Sequence, residues 1–242
     1  MKRGLITWDK AELPPSVFEA RLAKARKALA AQDLPALLVY SDVWRSTEGR
    51  HLTNYMPYWN RSLIVIPREQ APVLLCGLSP RVYPWIKSVT IFDEIRPASK
   101  LVPTLLQLCS ERGWTRLGVL DLPRLPHEIY SPLAASNLGI SDVKLELTDE
   151  AEVAMHRHAE QMAHEILTVE LPKGVGLTDY QFSGRLERAF RRAGAEDLVL
   201  LFGTGNSAPR PACGGMLGDK YSVAVALEYR GHWARVTRGL PL

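Results

Sequence analysis

Apolar and polar residues follow two different periods over the first 147 positions, which predicts strands and helices in alternation. Short apolar runs between turn residues predict strands, and apolar positions three or four apart predict amphipathic helices. The predicted strands cover residues 34–40, 62–67, 72–76, 116–121 and 143–147. Three helices are predicted. The first begins at Ser16, where Ser-Val-Phe-Glu forms a capping box, and the other two cover residues 99–113 and 125–138. This order is typical of an α/β sheet domain.

A second pattern begins at residue 148. Thr148 or Asp149 is positioned to cap a long helix that runs to about residue 169. Thr178-Asp-Tyr-Gln is a capping box for another helix, which is expected to stop at Gly194. Strands are predicted at residues 198–202, 221–229 and 232–237, the last two joined by a tight turn. We therefore expect one domain over residues 1–147 and a smaller α+β unit over residues 148–242.

The composition is that of a soluble globular protein, since 46% of the 242 residues are hydrophobic and 23% are charged. No apolar run approaches the roughly 20 residues of a membrane span, and no secretory signal is evident at the start. Cys76, Cys109 and Cys213 are too widely spaced for a disulfide framework or a zinc cluster, and we expect buried thiols. These features predict a cytoplasmic protein with no membrane partner.

The net charge of +4 is mild, and its densest basic patch lies on one predicted helix. The patch consists of Arg185, Arg188, Arg191 and Arg192. No nucleic-acid recognition motif accompanies these arginines, so we interpret them as a solvated helix face and expect no nucleic-acid partner.

The most informative motif lies in the last forty residues. Gly218-Asp219 at one end and Gly231…Thr237-Arg238 at the other fit the pattern G-D-x-V-x-V-D-x-G-x-x-x-x-G-Y-x-x-D-x-T-R in one register. In this respect the chain resembles the creatinase, prolidase and methionine-aminopeptidase ("pita-bread") family. Gly205-Asn-Ser-Ala, Lys173-Gly-Val-Gly-Leu-Thr-Asp and Gly49-Arg-His-Leu-Thr-Asn-Tyr resemble further family segments in the same order.

The resemblance implies a two-domain fold. Residues 1–147 would form a creatinase-type N-terminal domain with a ribonuclease H-like mixed sheet. Residues 148–242 would supply a partial α+β pita-bread domain, corresponding to the first of its two similar halves. The other half, with one histidine and two glutamates of the family's metal site, would lie beyond the last residue of this sequence.

The resemblance also implies that the family's metal site is degenerate here. Family hydrolases hold two divalent ions, and two of their ligands are aspartates at the positions of Ala224 and Arg235. Alanine has no donor atom, and arginine places a permanent positive charge where the ions would sit. At about 4 Å that repulsion amounts to several kcal/mol per ion. The family's substrate-binding histidine is replaced by Arg210 or Pro211, so we expect no catalytic residue, no metal and no other cofactor.

One element of substrate binding is implied to survive. In the creatinase branch an aromatic-x-Arg segment of the N-terminal domain reaches into the neighbouring subunit and binds the substrate's carboxylate. Trp59-Asn60-Arg61 lies at the corresponding place, before the strand predicted at 62–67. The alternative is a surface arginine beside a packing tryptophan, and the sequence leaves both interpretations open.

Two other groups of polar residues have structural interpretations. His156, Glu160 and His164 are four residues apart and share one helix face, which fits a metal site or a solvated surface. We expect the solvated surface. Ser207 has no base near it in the sequence, so we do not expect a nucleophile there.

Three hypotheses for function remain open. The first is a non-catalytic relative that acts as a binding or assembly subunit. The second is an Xaa-Pro peptidase or creatinase-like C–N hydrolase completed by a partner chain or by rewired residues. The third is a truncated gene product. Because a half-domain exposes an apolar sheet face, we expect a homodimer or a complex with a chain that supplies the missing half.

Overall fold

The computed structural model describes residues 7–205 and 207–240. The chain divides into two compact units, and the boundary between them lies between Leu147 and Thr148. No helix in the described part of the chain is both long and apolar enough to cross a bilayer.

The first unit is built on one mixed sheet of six strands. They are β1 (Ala36–Ser41), β2 (Ser62–Pro67), β3 (Val73–Cys76), β4 (Glu94–Pro97), β5 (Arg116–Leu120) and β6 (Gly139–Val143). Their order in the sheet is β4-β3-β2-β1-β5-β6. Strand β2 is antiparallel to both β1 and β3, whereas β3/β4, β1/β5 and β5/β6 are parallel pairs. The predicted α/β class with a mixed sheet is confirmed.

Helices cover both faces of this sheet. They are α1 (Pro15–Ala31), α2 (Thr47–Thr53), α3 (Tyr83–Val89), α4 (Leu101–Glu111) and α5 (His127–Ala134). Because side chains alternate along a strand, Leu38 packs in the cluster that holds α4 and α5, and Leu37 packs in the cluster that holds α1 and α3. All six residues of β1 are buried, which is typical of a central strand with helices on both faces.

Several predictions for this unit are wrong in detail. Ser16 is not a cap: Pro14 is the N-cap and Pro15 the first helical residue, where a proline's missing N–H costs nothing. The last strand is residues 139–143 and not 143–147, because β6 is an edge strand in which only Val143 is buried. Three elements were not predicted from the sequence: helices α2 and α3 and strand β4. Each has seven residues or fewer, which is too short for a clear hydrophobic period.

The second unit has two helices on one face of an antiparallel three-stranded sheet. The elements are α6 (Glu150–Glu170), α7 (Asp179–Arg192), β7 (Asp197–Thr204), β8 (Tyr221–Tyr229) and β9 (His232–Gly239), with strand order β7-β8-β9. The Asp149 side chain caps α6, and the predicted capping box at Thr178 is confirmed. Arg230 and Gly231 join β8 to β9 with positive φ angles of 51° and 88°, as a two-residue hairpin turn requires.

The core of this unit lies between the helices and one side of β8. Tyr221, Val223, Val225, Leu227 and Tyr229 alternate along β8 and pack with Phe182, Leu186 and Phe190 of α7. Of the three cysteines, Cys76 and Cys109 are buried as expected. The prediction is wrong for Cys213, which is exposed in the polar loop before β8.

Candidate functional site

The second face of the β7-β8-β9 sheet carries the positions to which the sequence motif assigned metal ligands. Ala224 lies opposite Thr237 in the β8/β9 register, and Ala226 lies opposite Arg235. Ala224 and Arg235 are therefore diagonal neighbours on adjacent strands and share one face, about 7–8 Å apart by general sheet geometry. Two acidic side chains at such positions would be able to hold one ion between them.

The residues present do not fit a metal ion. Ala224 is buried and has no donor atom, and Arg235 is exposed and carries a fixed positive charge. On β7, Leu201 lies opposite Ala224 and Val199 lies opposite Ala226, so that side of the face is apolar. The polar neighbours of Ala224 and Ala226 on this face include Thr237 and Arg235 of β9 and Glu228 of β8. Among the described residues, no group of three or more His, Cys, Asp or Glu side chains is arranged to hold a metal.

The loop between β7 and β8 is where the motif placed a substrate-binding histidine. Arg210 instead forms an isolated antiparallel bridge with Phe202, its N–H donating to the Phe202 carbonyl at 2.9 Å. The Ser207 hydroxyl donates to the Thr204 carbonyl at 2.6 Å and accepts from the Thr204 N–H, so it stabilises a turn. Asn206, part of the same motif, lies outside the described residues.

The same loop is anchored by an acidic residue whose partner the sequence did not predict. The buried carboxylate of Asp179 accepts backbone N–H groups of Cys213 at 2.9 Å and Gly214 at 2.7 Å. The only sequence signal for this contact was an acidic residue after a cap together with a distant Gly-Gly loop. Neither signal states that the two segments meet.

Trp59 and Arg61 lie in the first unit, immediately before β2. Trp59 is 71% exposed and has a positive φ of 54°, and the Arg61 guanidinium forms an ion pair with Glu128 of α5. The hydrogen bond to Glu128 holds the pKa of Arg61 above its usual range. Trp59 does not pack into the core and contacts the ring of Tyr58 edge-on, so the two interpretations of this segment both stay predictions.

The polar groups of α6 and α7 take part in surface contacts. His156 lies 3.3 Å from Glu160 on the exposed side of α6, and His232 contacts Glu152 at 2.8 Å. On α7, Arg185 pairs with Glu170, and the side chain of Arg191 contacts Glu187. The α7 patch is therefore partly neutralised by its own neighbours.

Comparison with known proteins identifies the fold. No protein-family model matches the sequence, and no curated protein is significantly similar to it. Among solved structures, the X-Pro aminopeptidase from Thermotoga maritima matches 90% of this chain with a TM-score of 0.71 and 15% identity. The Xaa-Pro dipeptidase from Bacillus anthracis matches 92% with a TM-score of 0.67 and 16% identity. Proline aminopeptidase P II from Yersinia pestis matches 93% with a TM-score of 0.64 and 17% identity.

These likenesses concern part of each relative, because the matched region covers 64%, 64% and 62% of the three chains respectively. At such low identity they establish the fold alone. That fold is a creatinase-type α/β N-terminal domain followed by part of a pita-bread domain, and it confirms the predicted fold class and the predicted resemblance.

Proposed function

We propose that this chain is a divergent relative of the Xaa-Pro peptidases and creatinases that serves as a binding or assembly subunit and does not hydrolyse substrates by itself through a metal centre. The observation that carries the proposal is that Ala224 and Arg235 are diagonal neighbours on one sheet face. Arg235 carries a fixed positive charge that repels divalent ions, and Ala224 offers them no oxygen or nitrogen ligand.

The same face supports association with a second copy of the chain. Val199 is 51% exposed and Trp233 is 42% exposed, and both lie on the side of the sheet away from α6 and α7. In addition, β9 pairs with β8 on one side only among the described strands. Exposed apolar side chains beside an open strand edge favour pairing between chains, so we propose a homodimer. The remainder of a pita-bread domain, on this or on another polypeptide, is the alternative occupant.

The test combines metal binding with hydrolysis. Isothermal titration calorimetry with Mn²⁺, Co²⁺ and Zn²⁺ should show no stoichiometric binding to the purified chain, and Xaa-Pro dipeptides and creatine should remain intact. Tight stoichiometric binding together with turnover would contradict the proposal.

A pair of variants tests whether the assigned face is correct. Ala224→Asp combined with Arg235→Asp restores two neighbouring carboxylates, and we expect it to gain weak Mn²⁺ affinity. Ser222→Asp combined with Trp233→Asp also places two carboxylates on this face, but the two sites lie about 20 Å apart along the strands. The control pair should gain no Mn²⁺ affinity. Equal affinity in both pairs would show that the assigned register is wrong.

The alternative function is a C–N hydrolase completed by a partner chain, in which Trp59 and Arg61 bind a substrate carboxylate. The exposure of Trp59 and of the Arg61 guanidinium supports this role. Activity that appears only when a second chain is added, and that Arg61→Lys reduces more than tenfold, would favour the alternative.

A further inference from the structure

The first unit contains an open pocket of about 790 Å³. Its walls come from the segments that directly follow β1, β3 and β4, together with the segment before β2 and one side of α5. Because β1 and β3 are both antiparallel to β2 and β4 is parallel to β3, the three strands end at the same edge of the sheet. In open α/β sheets, ligands bind in the crevice at the carboxyl ends of the strands.

The pocket contains two cationic side chains in different situations. Lys100 is the N-cap of α4, is exposed and has no ion-pair partner among the described residues. Helix α4 begins there without a side-chain cap, so the partial positive charge of its N-terminus is not offset by a capping side chain. On another wall, Arg61 is held in place by Glu128.

The one other acidic side chain of the pocket wall, Asp42, is already engaged. Its Oδ1 accepts the backbone N–H groups of Trp44 at 2.7 Å and Arg45 at 2.8 Å, and its Oδ2 accepts the Tyr40 hydroxyl at 2.9 Å. The charge of Asp42 is therefore used to hold the turn after β1. Lys100 remains the cation available to an incoming anion.

Two large aromatic side chains stand at the pocket and are not packed in the core. Trp44 is 76% exposed and Trp59 is 71% exposed, although most tryptophans are largely buried. Trp59 has a positive φ of 54°, a conformation that is uncommon for a residue other than glycine. Exposed indoles offer flat apolar surfaces on which a planar ring stacks.

We propose that this pocket binds a small aromatic anion, with its carboxylate or phosphate group at Lys100 and its ring against Trp44 and Trp59. The proposal goes beyond the proposed function, because it concerns a site formed by the first unit in its own right and does not depend on the sheet face of the second unit. Failure of this proposal therefore leaves the non-catalytic proposal intact, whereas the alternative hydrolase function shares Trp59 with the pocket.

The experiment titrates the full chain with benzoate and with phenyl phosphate, and follows binding by calorimetry and by tryptophan fluorescence. Acetate supplies the charge without the ring, and benzyl alcohol supplies the ring without the charge. We expect saturable binding of at least one aromatic anion and weaker binding of both controls. A preference for benzoate or for phenyl phosphate identifies the anionic group.

Variants locate the binding site. Lys100→Gln should weaken binding about three- to fivefold, the effect of losing a partly exposed ion pair. Trp59→Leu should weaken it about fivefold by removing a stacking surface. Lys87→Gln, at an exposed position of α3 outside the pocket lining, should bind like wild type.

Three results would overturn the proposal. The first is the absence of saturable binding of both aromatic anions at millimolar concentration. The second is binding that Lys100→Gln and Trp59→Leu leave unchanged. The third is equal binding of acetate or benzyl alcohol. Circular dichroism of each variant confirms that it is folded, and because the substituted side chains are exposed, we expect no loss of stability.

Discussion

Replacing Asp179 by asparagine should release the loop that precedes β8. Asp179 is the first residue of α7 and is buried, and its carboxylate accepts the N–H groups of Cys213 at 2.9 Å and Gly214 at 2.7 Å. Its own N–H donates to the Gly215 carbonyl at 2.8 Å, so the loop is held from both sides. Asparagine keeps one acceptor oxygen and turns an amide N–H₂ group toward the second donor.

The expected loss is about 2–3 kcal/mol of unfolding free energy. One charge-assisted hydrogen bond contributes about 1.5–3 kcal/mol, and a negative charge at a helix N-terminus contributes about 0.3–1 kcal/mol. Urea denaturation of wild type and Asp179→Asn at pH 7 measures the difference. Asp219→Asn, an exposed aspartate of the same loop, is the matched control and should lie within about 0.5 kcal/mol of wild type.

The effect should also depend on pH in a defined direction. Burial acts to raise the pKa of Asp179, but hydrogen bonds from the backbone of Cys213, Gly214 and Gly215 hold it below its usual value. A folded-state pKa below the unfolded value of about 3.9 stabilises the fold above that pH, and the contribution is lost as pH falls toward the folded-state pKa. The difference between wild type and Asp179→Asn should therefore be constant near neutral pH and shrink below about pH 4. A variant as stable as wild type at pH 7, or a difference that grows on acidification, would refute this reasoning.

Further predictions concern packing and association. Gly174→Ala should destabilise the second unit by about 1–3 kcal/mol in urea denaturation, because its Cβ would lie 2.2 Å from the Tyr221 hydroxyl oxygen. Gly184→Ala, in the exposed part of α7 with nothing within 4 Å, should instead stabilise it by up to about 1 kcal/mol. Trp233→Glu should convert the proposed dimer to a monomer in size-exclusion light scattering. The control Val169→Glu, at an exposed position of α6, should leave the dimer intact. A wild-type chain that is monomeric at micromolar concentration would contradict the dimer.

Strong local patterns explain which elements were predictable. The strand at residues 221–229 and its partner at 232–237 alternate cleanly and meet at Arg230-Gly231, so their hairpin and the shared face of Ala224 and Arg235 follow from period and turn chemistry. The cap of α7 was predictable because Thr178 and Gln181 interact over a single helical turn.

Contacts between distant segments were not predictable. The ion pair between Arg61 and Glu128 and the anchoring of Cys213 by Asp179 depend on which segments the fold brings together, and no local pattern encodes that. The pocket of the first unit was missed for a related reason. Lys100 follows β4, and a strand of four residues is too short to be recognised from its hydrophobic pattern. The segment Trp59-Asn60-Arg61 was the part of this pocket that the sequence singled out.

The central claim is that the sheet face with Ala224 and Arg235 holds no divalent ion. Anomalous diffraction at the manganese edge, from crystals grown with Mn²⁺, tests it most directly. We predict no anomalous peak on that face of β8 and β9. A peak between positions 224 and 235 within about 2.0–2.6 Å of protein oxygen or nitrogen atoms would contradict the account.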